Sequence, residues 1–390
     1  MVVKAGFWRR AGSGVGPLVL WALLGACAAA QDGTASQQPG GPAPLSNGQP
    51  PCPIAAPDRA DAGSTSCPDP CAAITEVPRL DWYTEADGAA FRREPIRDVP
   101  FASLNRPQHI VLSAGDLNAD FAGAGRFLIG HTLDECFQVE ALYLGVSQSD
   151  NMETVTNSTT NLLGGPGNLF SPFGAFGVTP ITGLDYNNLA QIRFTSSMQN
   201  IELYLRRKVP MPPNGWTVSV LFGVRYMDLP EELDYFTQSV VPPPNGAINS
   251  IHVTTANRMV GPEVGALFEL HVDDAWWVNF EMKAALLDNQ CEQSTAYHNV
   301  DNTGTAHDFS GSRSEQHTAY AGDLALTIVY RWSQHFTSRV GYQAIFAGGI
   351  ASAADNFQTD INVLSGGAAQ LYHGGNTVFH GPQAGFTFAW

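Results

Sequence analysis

The sequence predicts an all-β fold, an up-and-down antiparallel transmembrane β-barrel of about ten strands, with twelve as the upper count. Three observations predict it. Apolar and polar residues alternate with a period of two over long runs, the connections between runs alternate short and long, and the chain stops on an aromatic stripe. That stripe is "HGPQAGFTFAW" (380–390), with Phe386, Phe388 and Trp390 on one face and Gly385, Thr387 and Ala389 on the other.

The period identifies strands rather than helices. In Trp216–Met227 the even positions are Trp216, Val218, Val220, Phe222, Val224 and Tyr226, and the odd ones include Thr217, Ser219, Gly223 and Arg225. Val260–Asp273, Trp276–Leu287, Tyr320–Trp332 and Phe336–Ala347 repeat the scheme. Strands are expected near 123–132, 135–147, 189–207, 215–229, 251–272, 275–289, 315–333, 335–349 and 376–390, plus one from 80–92 or 107–115. That extra strand makes the number even and puts both termini at one end, as closed bacterial barrels require.

Short turns fall near Thr132–Asp134, Lys208–Asn214, Asp273–Asp274 and Ser333–Gln334, and long loops at about 147–188, 229–250, 289–312 and 350–375. This is the rhythm of tight periplasmic turns and long external loops. It places Asn157, Asp234 and Asp301 outside the cell, and Cys136 and Cys291 at opposite ends, too far apart to pair. A soluble β-sandwich also alternates apolar and polar residues, but its strands average only about five or six residues. Tyr320 and Trp332 lie on one face, twelve residues apart. At about 3.3 Å per residue and a tilt near 40° they bracket roughly 30 Å, enough for an apolar band with aromatic girdles.

Before the barrel the chain reads differently. Residues 1–30 form a signal peptide: Lys4, Arg9 and Arg10 precede an apolar run from Pro17 to Ala30. Two cleavage readings stay open. Ala28-Ala29-Ala30 fits an ordinary signal peptidase, and Leu24-Gly25-Ala26-Cys27 resembles a lipobox that would put a lipid on Cys27. Residues 31–79 are rich in Gln, Pro, Gly, Ala and Ser, too poor in large apolar groups to offset the entropy of folding, and are expected to be a disordered tether. The barrel takes 80–390.

A net charge of −16 excludes a nucleic-acid partner, which needs a basic face. The cysteines lack the spacing of a zinc site, so no metal or other cofactor is expected. Outer-membrane lipid is the expected partner of the apolar faces.

Several stretches go beyond a generic barrel: "VLSAGDLNADFAGAGRFLIGHTLDECFQVEALYLG" (111–145), "LFSPFG" (169–174), "LFGVRYMDLPEELDYF" (221–236), "NRMVGPEVGALFEL" (257–270) and the final "HGPQAGFTFAW". Over about 80–390 the chain resembles beta-barrel porin family seven, a family abundant in planctomycetes. The resemblance implies an outer-membrane barrel of uncharacterised activity and carries over no catalytic residue. The terminal Phe386, Phe388 and Trp390 resemble the signal read by the outer-membrane barrel assembly machinery, which makes that machinery a second expected partner.

If the apolar faces meet lipid, the opposite faces line the interior. Those faces carry Arg126, Arg206, Arg225, Lys283, Arg331 and Arg339 against Glu140, Glu202, Glu263, Glu269, Glu281 and Asp323. Balanced charge in a narrow barrel makes a paired network or a selective passage for small solutes or cations. The four long loops hold no Lys or Arg, so the external mouth is expected to be acidic. "NLLGGPGNLFSPFGAFG" (161–177) is too apolar to stay in water and is expected to fold inward. Three functions follow: a narrow porin-like channel or surface barrel, a structural anchor, and a hydrolase at the mouth. The last rests on His298, Asp301, His307, Asp308 and His317, which share a loop but no evident geometry, so no catalytic residue is assigned.

Overall fold

The computed structural model describes residues 2–4 and 81–390, apart from gaps at 96–97, 106, 108, 118–119, 135, 160–166, 182, 210–214, 240–245, 302 and 368. Apart from 2–4, the expected leader and tether lie outside the described residues, as do Cys27, Cys52, Cys67 and Cys71. Val2–Lys4 pair antiparallel with Val155–Asn157.

Ten long strands make the wall: β1 (Trp82–Pro95), β2 (Ala122–Thr132), β3 (Phe137–Asn157), β4 (Leu189–Val209), β5 (Trp216–Gln238), β6 (Ile248–His271), β7 (Trp276–Val300), β8 (Ala306–Arg331), β9 (Phe336–Ile350) and β10 (Gly375–Ala389). Each pairs antiparallel with its neighbours in sequence, and β10 pairs with β1 to close the ring. Closure pairs each strand on both sides over the turn-end half of the wall, where an unpaired edge would be most costly. The first strand is 82–95; of the other candidate, Ile110–Ser113 belongs instead to a separate three-stranded sheet with Pro100–Leu104 and Leu169–Phe170.

Two of the tight turns share one chemistry. At 133–136 the Asp134 carboxylate accepts from the backbone N–H of Cys136 and Phe137, and at 272–275 Asp273 does the same for Ala275 and Trp276. A side chain that mimics a backbone turn sets the register of both hairpins.

Along the turn-end half of most strands the outward residues are large and apolar: Phe127 and Ile129, Ile201, Leu203 and Leu205, Phe222 and Val224, Leu326 and Ile328, while β1 presents the small Ala86 and Gly88. Trp216, Trp276, Trp332, Phe388 and Trp390 edge this belt at the turn end, and Tyr143, Tyr226 and Tyr320 edge it above. On β7 the outward face runs apolar from Trp276 to Leu286, then turns polar at Asp288, Gln290 and Glu292. Ten residues of tilted strand span roughly 25 Å, the height of a bilayer's apolar layer.

The strands do not stop where the belt stops, and this corrects two expected loops. The spans 229–250 and 289–312 are mostly strand, leaving connections only at 239–247 and 301–305. Their outward faces are polar, and their inward faces mix apolar residues such as Leu229, Leu233 and Tyr235 with buried polar ones such as Asn289, Gln293 and Thr295, so the period of two continues above the belt although the outward side is no longer apolar. A count that ends each strand where apolar residues stop facing out misses this half. The true long connections at this end are 96–121, 158–188 and 351–374.

Candidate functional site

The interior is layered, and the order of residues along each strand sets the layers. Nearest the turns lies an ionic layer. Register creates part of it: Arg126 stands opposite Asp87, Arg225 opposite Glu202, and Lys283 opposite Asp323. Arg126 bonds Glu85 at 2.6 Å and Asp87 at 2.8 Å, and Arg339 meets the same two carboxylates from β9. Arg206 reaches Glu140 (3.2 Å) and Glu269 (3.4 Å). Tyr83 donates its hydroxyl to Glu140.

The centre of the layer is Arg225, whose side chain is fully buried. It holds Glu202 (2.5 Å) and Glu263 (2.6 Å) on the adjacent strands and Asp323 on β8, three strands away. Lys283 on β7 reaches back to Glu202 on β4 (2.7 Å) while also holding Glu281 (2.7 Å), and its ammonium lies 4.8 Å from the Tyr204 ring centre. These ties cross the bore rather than lining it.

Eleven of the twelve charged residues singled out from sequence meet in this layer. Arg331 does not: it is exposed at the turn-end rim, over the Trp277 ring at 5.2 Å. Glu85 and Asp87, absent from that set, complete it. Their signal was the alternation Tyr83, Glu85, Asp87 against Trp82, Thr84, Ala86, legible once 82–95 is the first strand. Five cations, Arg126, Arg206, Arg225, Lys283 and Arg339, therefore face eight carboxylates, Glu85, Asp87, Glu140, Glu202, Glu263, Glu269, Glu281 and Asp323. The layer is acidic, not balanced.

Above it Met198, Met227, Leu229, Met259, Leu287, Ile345 and Phe379 form an apolar layer. Unbranched methionines fill irregular gaps between the walls. Higher still, the connections fold inward. Phe101 and Leu112 from 96–121, Leu169 from 158–188 and Phe357 from 351–374 pack against Ile192, Leu233, Tyr235 and Val253 of the wall. Phe101, Tyr235 and Phe357 meet edge-on or tilted with ring centres 5.0–5.8 Å apart. Within 161–177 the residues from Gly167 on are described, and Leu169 and Ser171 are buried.

Two buried carboxylates fasten this plug. Glu231 on β5 holds Arg93 of β1 at 2.5 Å and accepts from the backbone N–H of Ala353 at 3.0 Å. Arg93 also covers the Phe194 ring at 4.7 Å. Asp185 accepts from the Ser171 N–H (2.6 Å) and hydroxyl (2.9 Å) and from the Ile181 N–H (2.8 Å). Burial pushes its carboxyl up, and those three donors pull the other way.

The loop-end wall is less one-signed than a count over loops implies. Because the strands extend above the belt, they carry Arg193, Arg258 and Arg313 there. Arg193 pairs in two-point fashion with Asp150 (2.7 and 2.5 Å) and Arg258 with Glu292 (3.4 Å). The bond from Arg193 holds the Asp150 carboxyl below its usual range. The histidines do not converge on one site. His298 pairs with Asp308 (2.6 Å) on the outer face, and His307 lies 3.3 Å from Asp301 at the hairpin tip. His317 is separate, bonded to the Gly349 carbonyl (2.6 Å) beside the buried Cys291 (3.5 Å).

The family described as Putative beta barrel porin-7 matches residues 99–373 of this chain. No curated protein matches it. Among solved structures, it is similar to the outer membrane protease OmpT of Escherichia coli with a TM-score of 0.45 and 9% identity, over 80% of this chain and 97% of that one. CarO of Acinetobacter baumannii gives a TM-score of 0.23 and 11% identity, over 77% and 97%. A Pseudomonas aeruginosa FadL homologue gives 0.21 and 7%, over 79% and 89%.

Proposed function

The chain belongs to the beta barrel porin-7 family, and from that premise we propose that it is an outer-membrane barrel whose bore is held shut, presenting a rigid β-wall at the cell surface. The apolar belt sits in lipid, with the tight turns periplasmic and the polar upper half outside. The leader exports the chain, and the terminal aromatic stripe addresses it to the barrel assembly machinery. The observation that carries this reading is the filled bore. Arg225 ties β5 to β8 across it, a methionine-rich layer lies above, and three connections fold into the mouth. No catalytic role is assigned, since the His and Asp pairs of the upper wall stand on different faces.

One observation favours a second reading, a narrow cation passage that opens when the plug moves: the ionic layer carries eight carboxylates against five cations. Planar-bilayer recording of the purified full chain separates the two. The shut barrel is expected to give a quiet bilayer. Stable ion-conducting steps from the wild-type protein overturn it, and a reversal potential in a salt gradient then reads the selectivity.

A further inference from the structure

On the outer face, above the belt, three potential metal ligands converge. His252 of β6 stands directly opposite Asp234 of β5 in register, and Glu232 lies two residues along β5 on the same face. The His252 Nδ1 is 2.7 Å from an Asp234 oxygen and 3.4 Å from a Glu232 oxygen. One ligand atom from each residue lies within 4.8 Å of the other two. Ligands at about 2.0–2.2 Å from one ion stand roughly 2.9–3.5 Å apart; the His252–Glu232 contact has that spacing and the His252–Asp234 contact is slightly shorter.

The surroundings also fit. Arg193 is opposite Asp234 on its other side, yet its guanidinium is committed to the two-point contact with Asp150. Two carboxylates thus aim at a single imidazole nitrogen. Glu232 also lines a cavity of about 610 Å³ whose walls are rich in Ser and Thr, including Thr254, Ser294 and Ser314, which leaves room for water to complete a coordination sphere. The ligands come from paired strands rather than loops, so their spacing is held by the ladder.

We propose that Glu232, Asp234 and His252 bind a first-row divalent transition-metal ion of the zinc class at the cell surface. One imidazole with two carboxylates matches the N and O donors that Zn²⁺ takes, and three protein ligands leave a position open to solvent. The site does not depend on whether the bore ever opens.

The test is isothermal titration of ZnCl2 into the full chain, stripped by chelator and folded in detergent, with heat-modifiable gel mobility as the check on folding. One ion per chain is expected. His252→Gln and Asp234→Asn are each expected to weaken binding at least about tenfold, since removing a direct ligand should cost no less than removing a supporting one. His298→Gln, which removes an exposed His paired with one carboxylate, is expected to bind like wild type. A second readout is the visible absorption of bound Co²⁺, expected to change in Glu232→Gln. Folded wild-type protein that takes up no zinc overturns the proposal. So does uptake indifferent to His252→Gln and Asp234→Asn, or uptake lost equally in His298→Gln.

Discussion

Trp82 and Trp390, the first residue of β1 and the last of the chain, exchange both backbone hydrogen bonds, at 3.1 and 2.9 Å. The carboxyl-terminal residue is therefore the clasp of the barrel. Phe388 extends the seam opposite Thr84 and stacks on Trp390 with ring centres 5.8 Å apart. Deleting Phe388–Trp390 removes these bonds together with the proposed aromatic address. The truncated chain is expected to give little outer-membrane protein and to lose heat-modifiable mobility. Trp390→Phe keeps the backbone clasp and an aromatic end, and is expected to assemble normally, within about 1 kcal/mol of wild type.

The ionic layer predicts an asymmetry. Arg225→Met strands Glu202, Glu263 and Asp323 in the bore without their shared cation. Breaking a buried pair costs about 3–5 kcal/mol, so the urea midpoint of the folded barrel is expected to fall clearly. Adding Asp323→Asn should restore part of the loss, because it removes a carboxylate that Arg225 had held, whereas Glu202 keeps Lys283. A double variant no more stable than the single would mean that Asp323 is not coupled to Arg225.

Glu231 joins the plug to the wall through Arg93 and Ala353. Glu231→Ala leaves a buried guanidinium unpaired and frees the start of the 351–374 connection. The belt-level barrel should survive, since no plug residue contributes to its ladders. Limited proteolysis is expected to cut within 351–374 in the variant and not in wild type, while heat-modifiable mobility is retained.

Surface labelling separates the upper wall from its interior. The Asp308 side chain is 72% exposed, whereas Asn157 is 2% exposed, at the end of β3, where its side chain bonds Thr159 and its backbone N–H bonds the Asn188 carbonyl. Asp308→Cys is expected to react with an impermeant maleimide on intact cells, and Asn157→Cys only after unfolding. Both positions lie at the loop end of the wall, the end proposed to face outside, so burial sets the contrast.

The two described native thiols differ in the same way. Cys136 is exposed at a tight turn; Cys291 is buried in the upper wall, where burial pushes its thiol up. In folded protein Cys136 is expected to react with an alkylating reagent and Cys291 to resist until denaturation. Peptide mapping should find no bridge between them.

Taken alone, the sequence determined the barrel, a strand count of about ten and which face of most strands is apolar. Those properties rest on a period of two, and a one-residue slip would turn every side chain to the wrong surface. Trp216 to Tyr226 and Trp276 to Leu286 carry that information locally, residue by residue. The pairs Arg225–Glu202 and Arg126–Asp87 follow almost directly, as cross-strand neighbours once register is set. The height of the wall was not legible, because outward residues above the belt turn polar and read like loop. Nor was the closure of the bore. Arg225 meets Asp323, and Phe101 meets Phe357, across a curved space that no period encodes. Their distance along the chain says nothing about their separation until the ring closes. Tertiary structure decided that the bore is filled, because only closure gives the two walls a common interior.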